Sequence, residues 1–114
     1  MHELSIALSI LEVAEEQAER LGATAVFGIH LKLGPLSGVV KESLLSAYGL
    51  AREGSRLEKA ELLIEETPLL VQCPTCQTSR PVISLQELRC VECGTATADV
   101  VSGRELEIVA LEIQ

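Results

Sequence analysis

Cys73-Pro-Thr-Cys76 and Cys90-Val-Glu-Cys93 stand thirteen residues apart, and their reading decides how the second half of this chain folds. A two-residue gap lets both thiolates of one turn reach the same ion. The intervening stretch is long enough to bring the second turn back to it. Four thiolates so placed can surround a tetrahedral Zn²⁺ at about 2.3 Å per sulfur. A pair of such turns at this spacing is a specific signal, whereas a single turn is a weak one. Cys73, Cys76, Cys90 and Cys93 would fill every coordination position, which makes the implied zinc structural rather than catalytic. Residues 69–101 carry few large apolar side chains, so a small four-cysteine zinc-ribbon subdomain folded by its metal is expected there. For structural zinc in short peptides that contribution is roughly 10–16 kcal/mol.

Outside the ribbon the composition bounds the rest. The 114 residues suit one domain, or one domain with a small insert. Hydrophobic residues make up 47% but aromatics only 2%, so the core is to be built from Leu, Ile, Val and Ala around Phe27 and Tyr48. The start lacks a basic segment followed by an apolar run, and no stretch approaches the length of a membrane span. A cytoplasmic protein in a reducing compartment is expected, where thiols bind zinc rather than pair as disulfides. The net charge of −8 bears on partners. Nucleic-acid binding draws on a basic patch or on aromatic stacking platforms, and this chain supplies neither.

Residues 3–21 read as a helix, with Leu4, Ala7, Leu8, Leu11, Ala14, Ala18 and Leu21 forming one apolar stripe. Gly22 is placed to end it. Ile6, Ile10 and Val13 lie on another side and form either a second buried face or a contact surface. Residues 25–33 alternate as a half-buried strand, with Phe27, Ile29, Leu31 and Leu33 on one side and Val26, Gly28, His30 and Lys32 on the other. Gly34-Pro35 and Ser37-Gly38 make a turn. A helix follows over about 40–51, broken by Gly54 and Ser55, and then a strand over 58–66 with Ala60, Leu62 and Ile64 inward. A last strand covers 104–113. Its phase changes between Ile108 and Leu111, which predicts a β-bulge near Val109-Ala110. The fold expected is α+β, two helices packed on a three-stranded sheet, in the order α-β-α-β, zinc insert, β. On this division 1–68 plus 102–114 form one α/β domain.

The first three residues carry a second metal chemistry. The amine of Met1, the backbone nitrogen of His2 and the Nδ1 of His2 can bind one ion through adjoining chelate rings, with Glu3 offering a fourth donor. Nitrogen-rich square-planar surroundings suit Ni²⁺ or Cu²⁺ and are poor for Zn²⁺, Ca²⁺ or Mg²⁺.

Taken together, the opening Met-His-Glu-Leu-Ser, the Leu33-Gly34-x-x-Ser37-Gly38 segment, the paired C-x-x-C turns and a terminal Gly-x-Glu-Leu strand resemble the HypA family. The similarity covers essentially the whole chain and keeps the order of its parts. It implies a nickel metallochaperone of NiFe-hydrogenase maturation, with nickel centred on His2, donors from Met1 and Glu3, and structural zinc on the four cysteines. It further implies a GTPase or ATPase partner and delivery to the hydrogenase large subunit or, in some members, to urease. Two departures stand out. Some relatives carry histidine beside the C-x-x-C turns, but here Gln77-Thr78-Ser79 and Gly94-Thr95-Ala96 follow them. Arg104 also occupies a position where Asp is common.

Other residues call for no site. His30 is expected on the polar side of its strand, and Glu15 and Glu16 on a solvated helix face. Glu3 also suits the first helical turn through the helix dipole. No catalytic triad, phosphate loop or paired-carboxylate arrangement is present, so no enzyme is expected. The competing reading is an acidic zinc-ribbon module or adaptor within a nucleic-acid or protein assembly.

Overall fold

A computed structural model describes residues 2–114. Helix α1 spans Glu3–Arg20, strand β1 Val26–Leu33, helix α2 Lys41–Ala51 and strand β2 Glu61–Glu66. Strands β3 (Leu70–Cys73), β4 (Thr78–Ser84), β5 (Glu87–Cys90) and β6 (Val100–Ser102) follow, and β7 covers Leu106–Ile113. The strands form two sheets, one of order β2-β1-β7 and one of order β5-β4-β3-β6. Two compact units result. The first comprises residues up to Lys32, Val39–Glu65 and Glu107–Gln114; the second comprises Leu33–Gly38 and Glu66–Leu106.

The first unit is the expected pair of helices on a three-stranded sheet. Ala7, Ile10, Leu11, Ala14 and Ala18 of α1 pack with Leu44 and Tyr48 of α2, Ile29 and Leu31 of β1 and Leu62 of β2. Each large side chain fully buried here contributes about 1.5–3 kcal/mol. Small residues on α1 give the sheet its close cover without aromatic bulk. The helix ends as its glycine required. Gly22 takes φ +68°, Ala23 N–H donates to Ala18 O at 2.9 Å and Gly22 N–H to Glu19 O at 3.1 Å. This pair of bonds satisfies carbonyls that the helix end would otherwise leave open.

Several side-chain assignments differ from the sequence reading. The buried stripe of α1 is rotated toward Ile6 and Ile10, leaving Leu4, Leu8 and Leu21 at least half exposed. The reason is that α1 meets both the sheet and α2, so its buried face runs along the small residues that permit close approach. In β1, Phe27 is exposed while Val26 and Ile29 are both buried, so the alternation slips by one residue at the start of the strand. The strand expected over 58–66 begins only at Glu61, because residues 58–60 belong to turns closed by Glu58 N–H to Ser55 O at 3.2 Å and Ala60 N–H to Leu57 O at 2.9 Å. Ala60 is nevertheless buried, and its carbonyl accepts from the Tyr48 hydroxyl at 2.8 Å. Burial pushes that hydroxyl up to about 12, with Arg52 opposing the rise and Glu61 adding to it. In β7 the core-packing residues are Ile108 and Leu111, three apart, as the change of phase anticipated.

Candidate metal centres

The second unit builds a four-sulfur cluster from two similar turns. Strands β3 and β4 pair antiparallel with Cys73 opposite Thr78, so Cys73-Pro-Thr-Cys76-Gln77 is the hairpin between them. Gln77 N–H donates to Cys73 O at 2.8 Å, and Gly94 N–H donates to Cys90 O at 2.8 Å in the other turn. Both turns close on a left-handed residue, Gln77 at φ +56° and Gly94 at φ +78°.

All four sulfurs lie within 4.8 Å of one another. Cys73 and Cys93 Sγ are 3.5 Å apart, and Cys76 and Cys90 Sγ are 3.9 Å apart. Bonds of about 2.3 Å at tetrahedral angles would separate sulfurs by roughly 3.8 Å. A disulfide needs about 2.0 Å. The dimensions and the all-thiol donor set therefore fit a Zn²⁺ ion and do not fit disulfides. Cys73 and Cys90 are buried, Cys76 is half-buried and Cys93 is exposed.

The four sulfurs differ in their electrostatic settings. Hydrogen bonds from the Thr95 hydroxyl and backbone hold the Cys93 thiol down at about 6, against the opposing effect of desolvation. The Arg80 guanidinium pulls Cys76 down, but hydrogen bonding to Cys93, burial and the sulfurs of Cys73 and Cys90 outweigh it, and the thiol is pushed up to about 11. Crowded thiolates repel one another, so ionisation of one is set against another. A divalent cation removes that conflict, with release of the remaining protons.

Around the cluster, Thr75 and Thr95 hydroxyls lie 2.9 Å apart and tie the two turns together. Arg89 Nη1 donates to Gly94 O at 3.2 Å. No sequence motif singles out Thr95 or Arg80. Their signal lies in the two-residue spacing from Cys93 and in the alternation of β4, where Arg80, Val82 and Ser84 share the half-buried face.

The Gly-x-Glu-Leu segment also has a role. Glu105 accepts from the Thr67 hydroxyl at 2.7 Å and from Gly103 N–H at 2.8 Å, and its carbonyl accepts from Gly34 N–H at 2.8 Å. These bonds, led by Thr67, hold its carboxyl below the usual carboxylate range. Nothing in the structure accounts for Arg104.

At the chain start, Met1 lies outside the described residues. His2 is exposed, precedes α1 with φ −106° and ψ 73°, and makes no side-chain capping bond. Its carbonyl accepts from Ile6 N–H at 3.1 Å. Glu3 is the acidic residue of the first turn. Among the described residues the four cysteines form the one cluster of three or more metal-ligating side chains, and His2 and Glu3 are not part of it. His30 lies on the outer face of the sheet, its Nε2 2.7 Å from Glu112 Oε2. Glu16 pairs with Arg20 at 2.8 Å on the surface of α1. No helix among the described residues is long and apolar enough to cross a membrane.

A helix–sheet unit and a four-cysteine ribbon with sulfurs spaced for a metal ion define the class of a small metal-site protein. A family profile described as "Hydrogenase/urease nickel incorporation, metallochaperone, hypA" matches residues 1–113. The chain belongs to the HypA family, whose members are metallochaperones and not enzymes. It is 48% identical over 114 residues to the hydrogenase maturation factor HypA of Roseiflexus sp. (strain RS-1), covering 100% of this chain and 93% of that one. The HypA of Chloroflexus aggregans is 43% identical over 112 residues, with 98% of each chain covered. Among solved structures, the solution structure of the Ni metallochaperone HypA from Helicobacter pylori aligns with a TM-score of 0.70 at 25% identity. That alignment covers 99% of this chain and 97% of the other.

Proposed function

We propose that this protein binds Ni²⁺ at its first three residues and delivers it, with a nickel-handling GTPase or ATPase, for maturation of NiFe-hydrogenase or of urease. In this reading Met1 supplies its amine, His2 its backbone nitrogen and imidazole, and Glu3 a further donor. Residues 1–68 with 102–114 act as the nickel-binding domain. Residues 69–101 act as the zinc subdomain, with Cys73, Cys76, Cys90 and Cys93 holding a structural ion. The protein works in the cytoplasm, and neither nucleic acid nor membrane is a partner.

The observation that carries the nickel reading is the state of His2. Its imidazole is exposed and not spent on capping α1. The first N–H groups of a helix also have no acceptor within it, so the amides of His2 and Glu3 are not committed to the helical ladder. The position tempers affinity as well. The positive end of a helix dipole disfavours a cation by about 0.3–1 kcal/mol, which suits an ion that must be handed on. Glu3 offsets part of that cost.

Nickel titration of the untagged protein, of His2→Ala and of a form with one residue added before Met1 tests the proposal. One Ni²⁺ per chain is expected for the first, and loss of that site in the other two. Affinity of the untagged protein should fall on acidification, because imidazole and amine must lose their protons to ligate. Equal stoichiometry and affinity in all three forms would exclude the N-terminal site.

A further inference from the structure

Four thiolates around one divalent cation leave two uncompensated negative charges in a half-buried setting. Glu92 lies within the second turn and adds another. Such a centre needs positive charge close by, and the second unit offers two arginines near it. Arg89 is engaged elsewhere: its Nη1 bonds Gly94 O and its Nε lies 3.5 Å from Glu87 Oε2. Arg80 is different. It sits in β4 opposite the fully buried Val71, two residues before Cys73, and its side chain emerges on the half-buried face of the strand. Its guanidinium lies beside the Cys76 sulfur, within the influence of Cys90 and Glu92. Its Nε is buried and has no hydrogen-bond partner among the described residues. A buried guanidinium N–H without an oxygen acceptor is costly. A metal-bound thiolate beside it is the negative partner that would satisfy it.

We propose that Arg80 is a positioning residue of the zinc centre, holding the Cys76 sulfur in its ligating place and setting how slowly the ion leaves. The inference rests on the zinc reading given above and extends it to a group outside the four ligands. Partners of metal ligands typically change metal affinity by 10–100-fold when removed. Because the role is mainly that of a charge against a sulfur, a lysine should keep most of it. An uncharged residue of similar length should not.

The test uses the full-length protein and its Arg80→Gln, Arg80→Lys and Arg104→Gln variants, the last removing an exposed charge of the same unit. Zinc affinity is read by competition with a chromophoric chelator, zinc release by the rate of transfer to excess chelator, and ligand geometry by the thiolate-to-metal absorption of the Co²⁺ form. The expected result is a roughly 10–100-fold weaker and faster-releasing site in Arg80→Gln. Arg80→Lys should retain affinity within about fivefold, and Arg104→Gln within about threefold. The proposal is overturned if Arg80→Gln binds and releases zinc as the unsubstituted protein does. It is also overturned if Lys and Gln at position 80 weaken the site equally, since that marks a packing role. Equal weakening by Arg104→Gln would overturn it too, by showing a generic response to lost charge. Absence of zinc from the unsubstituted protein would instead bring down the zinc reading itself.

Discussion

At Gly34 a side chain has no room. A Cβ built there would lie 2.2 Å from Gly103 O and 2.3 Å from its carbonyl carbon, both rigid backbone atoms. The closeness is useful, because Gly34 N–H reaches Glu105 O at 2.8 Å and Leu36 N–H reaches Gly103 O at 2.7 Å. Gly34→Ala must therefore push the two segments apart and break those bonds. A loss of roughly 3–5 kcal/mol is expected, the range of severe single substitutions. Urea unfolding of the zinc-loaded protein would measure it, and a midpoint unchanged from the parent would refute the account. Two segments that the sequence presents as separate signatures, Leu33-Gly34-x-x-Ser37-Gly38 and Gly103-x-Glu105-Leu106, are thus two sides of one contact. Neither sequence pattern announces the other, because backbone approach leaves no periodicity.

Among the elements, the two cysteine turns have the same hydrogen bond and the same left-handed closing residue but different side chains there. Gly94 takes its φ without strain, whereas Gln77 bears a left-handed penalty of about 1–2 kcal/mol. Gly94→Ala should therefore cost about 1–2 kcal/mol. Gln77→Gly should be neutral or stabilising by up to about 1 kcal/mol, since relief of strain is partly offset by the freedom glycine gains when unfolded. Thermal unfolding of the two zinc-loaded variants checks the contrast, and a destabilised Gln77→Gly would contradict it. At this scale much was legible. The helix at residue 3, its glycine stop, the central strand, the phase change before Leu111 and the four-cysteine cluster all follow from spacing. What escaped has physical causes. Leu4 and Leu8 fit a helical stripe by period, but contact with α2 as well as the sheet favoured the smaller Ala7, Ala14 and Ala18. Phe27 fits its strand by alternation, but the slip beside Val26 exposes it. Strands β3 to β6 carry short, mixed patterns, and a unit that buries Cys73 and Cys90 beside Val71 shows no long apolar alternation.

For the whole molecule, the two units draw on different sources of stability. The first buries a continuous, mainly aliphatic core from both helices and all three of its strands, with Tyr48 its one aromatic among the described residues. In the second, the wholly buried side chains include Val71, Cys73 and Cys90, so two of them are sulfur donors. Removing metal with a strong chelator should accordingly melt the second unit while α1 and α2 keep their helical signal. Far-UV circular dichroism together with amide exchange would follow this. Protection should collapse over 70–102 and persist over Ala7–Ala18 and Leu44–Tyr48. Uniform loss of protection in both regions would show instead that the units share one folding transition.

The edge strand β7 has a consequence for how the chain assembles in time. It completes the β2-β1-β7 sheet, and Gln114 exchanges bonds with the residues before β1, donating to Ala25 O at 3.0 Å and accepting from Thr24 N–H at 2.8 Å. During synthesis both helices and two strands emerge before it, so the sheet waits with one side open. The connection it must close runs to about forty residues, and closure entropy grows with the length of flexible chain. Thr67 N–H on Leu33 O and Gly34 N–H on Glu105 O bring the two ends of that connection onto neighbouring residues once the ribbon is folded. On the zinc reading proposed above, capture of the ion by the four sulfurs would act as a timing step, shortening the search by which the last strand finds its place.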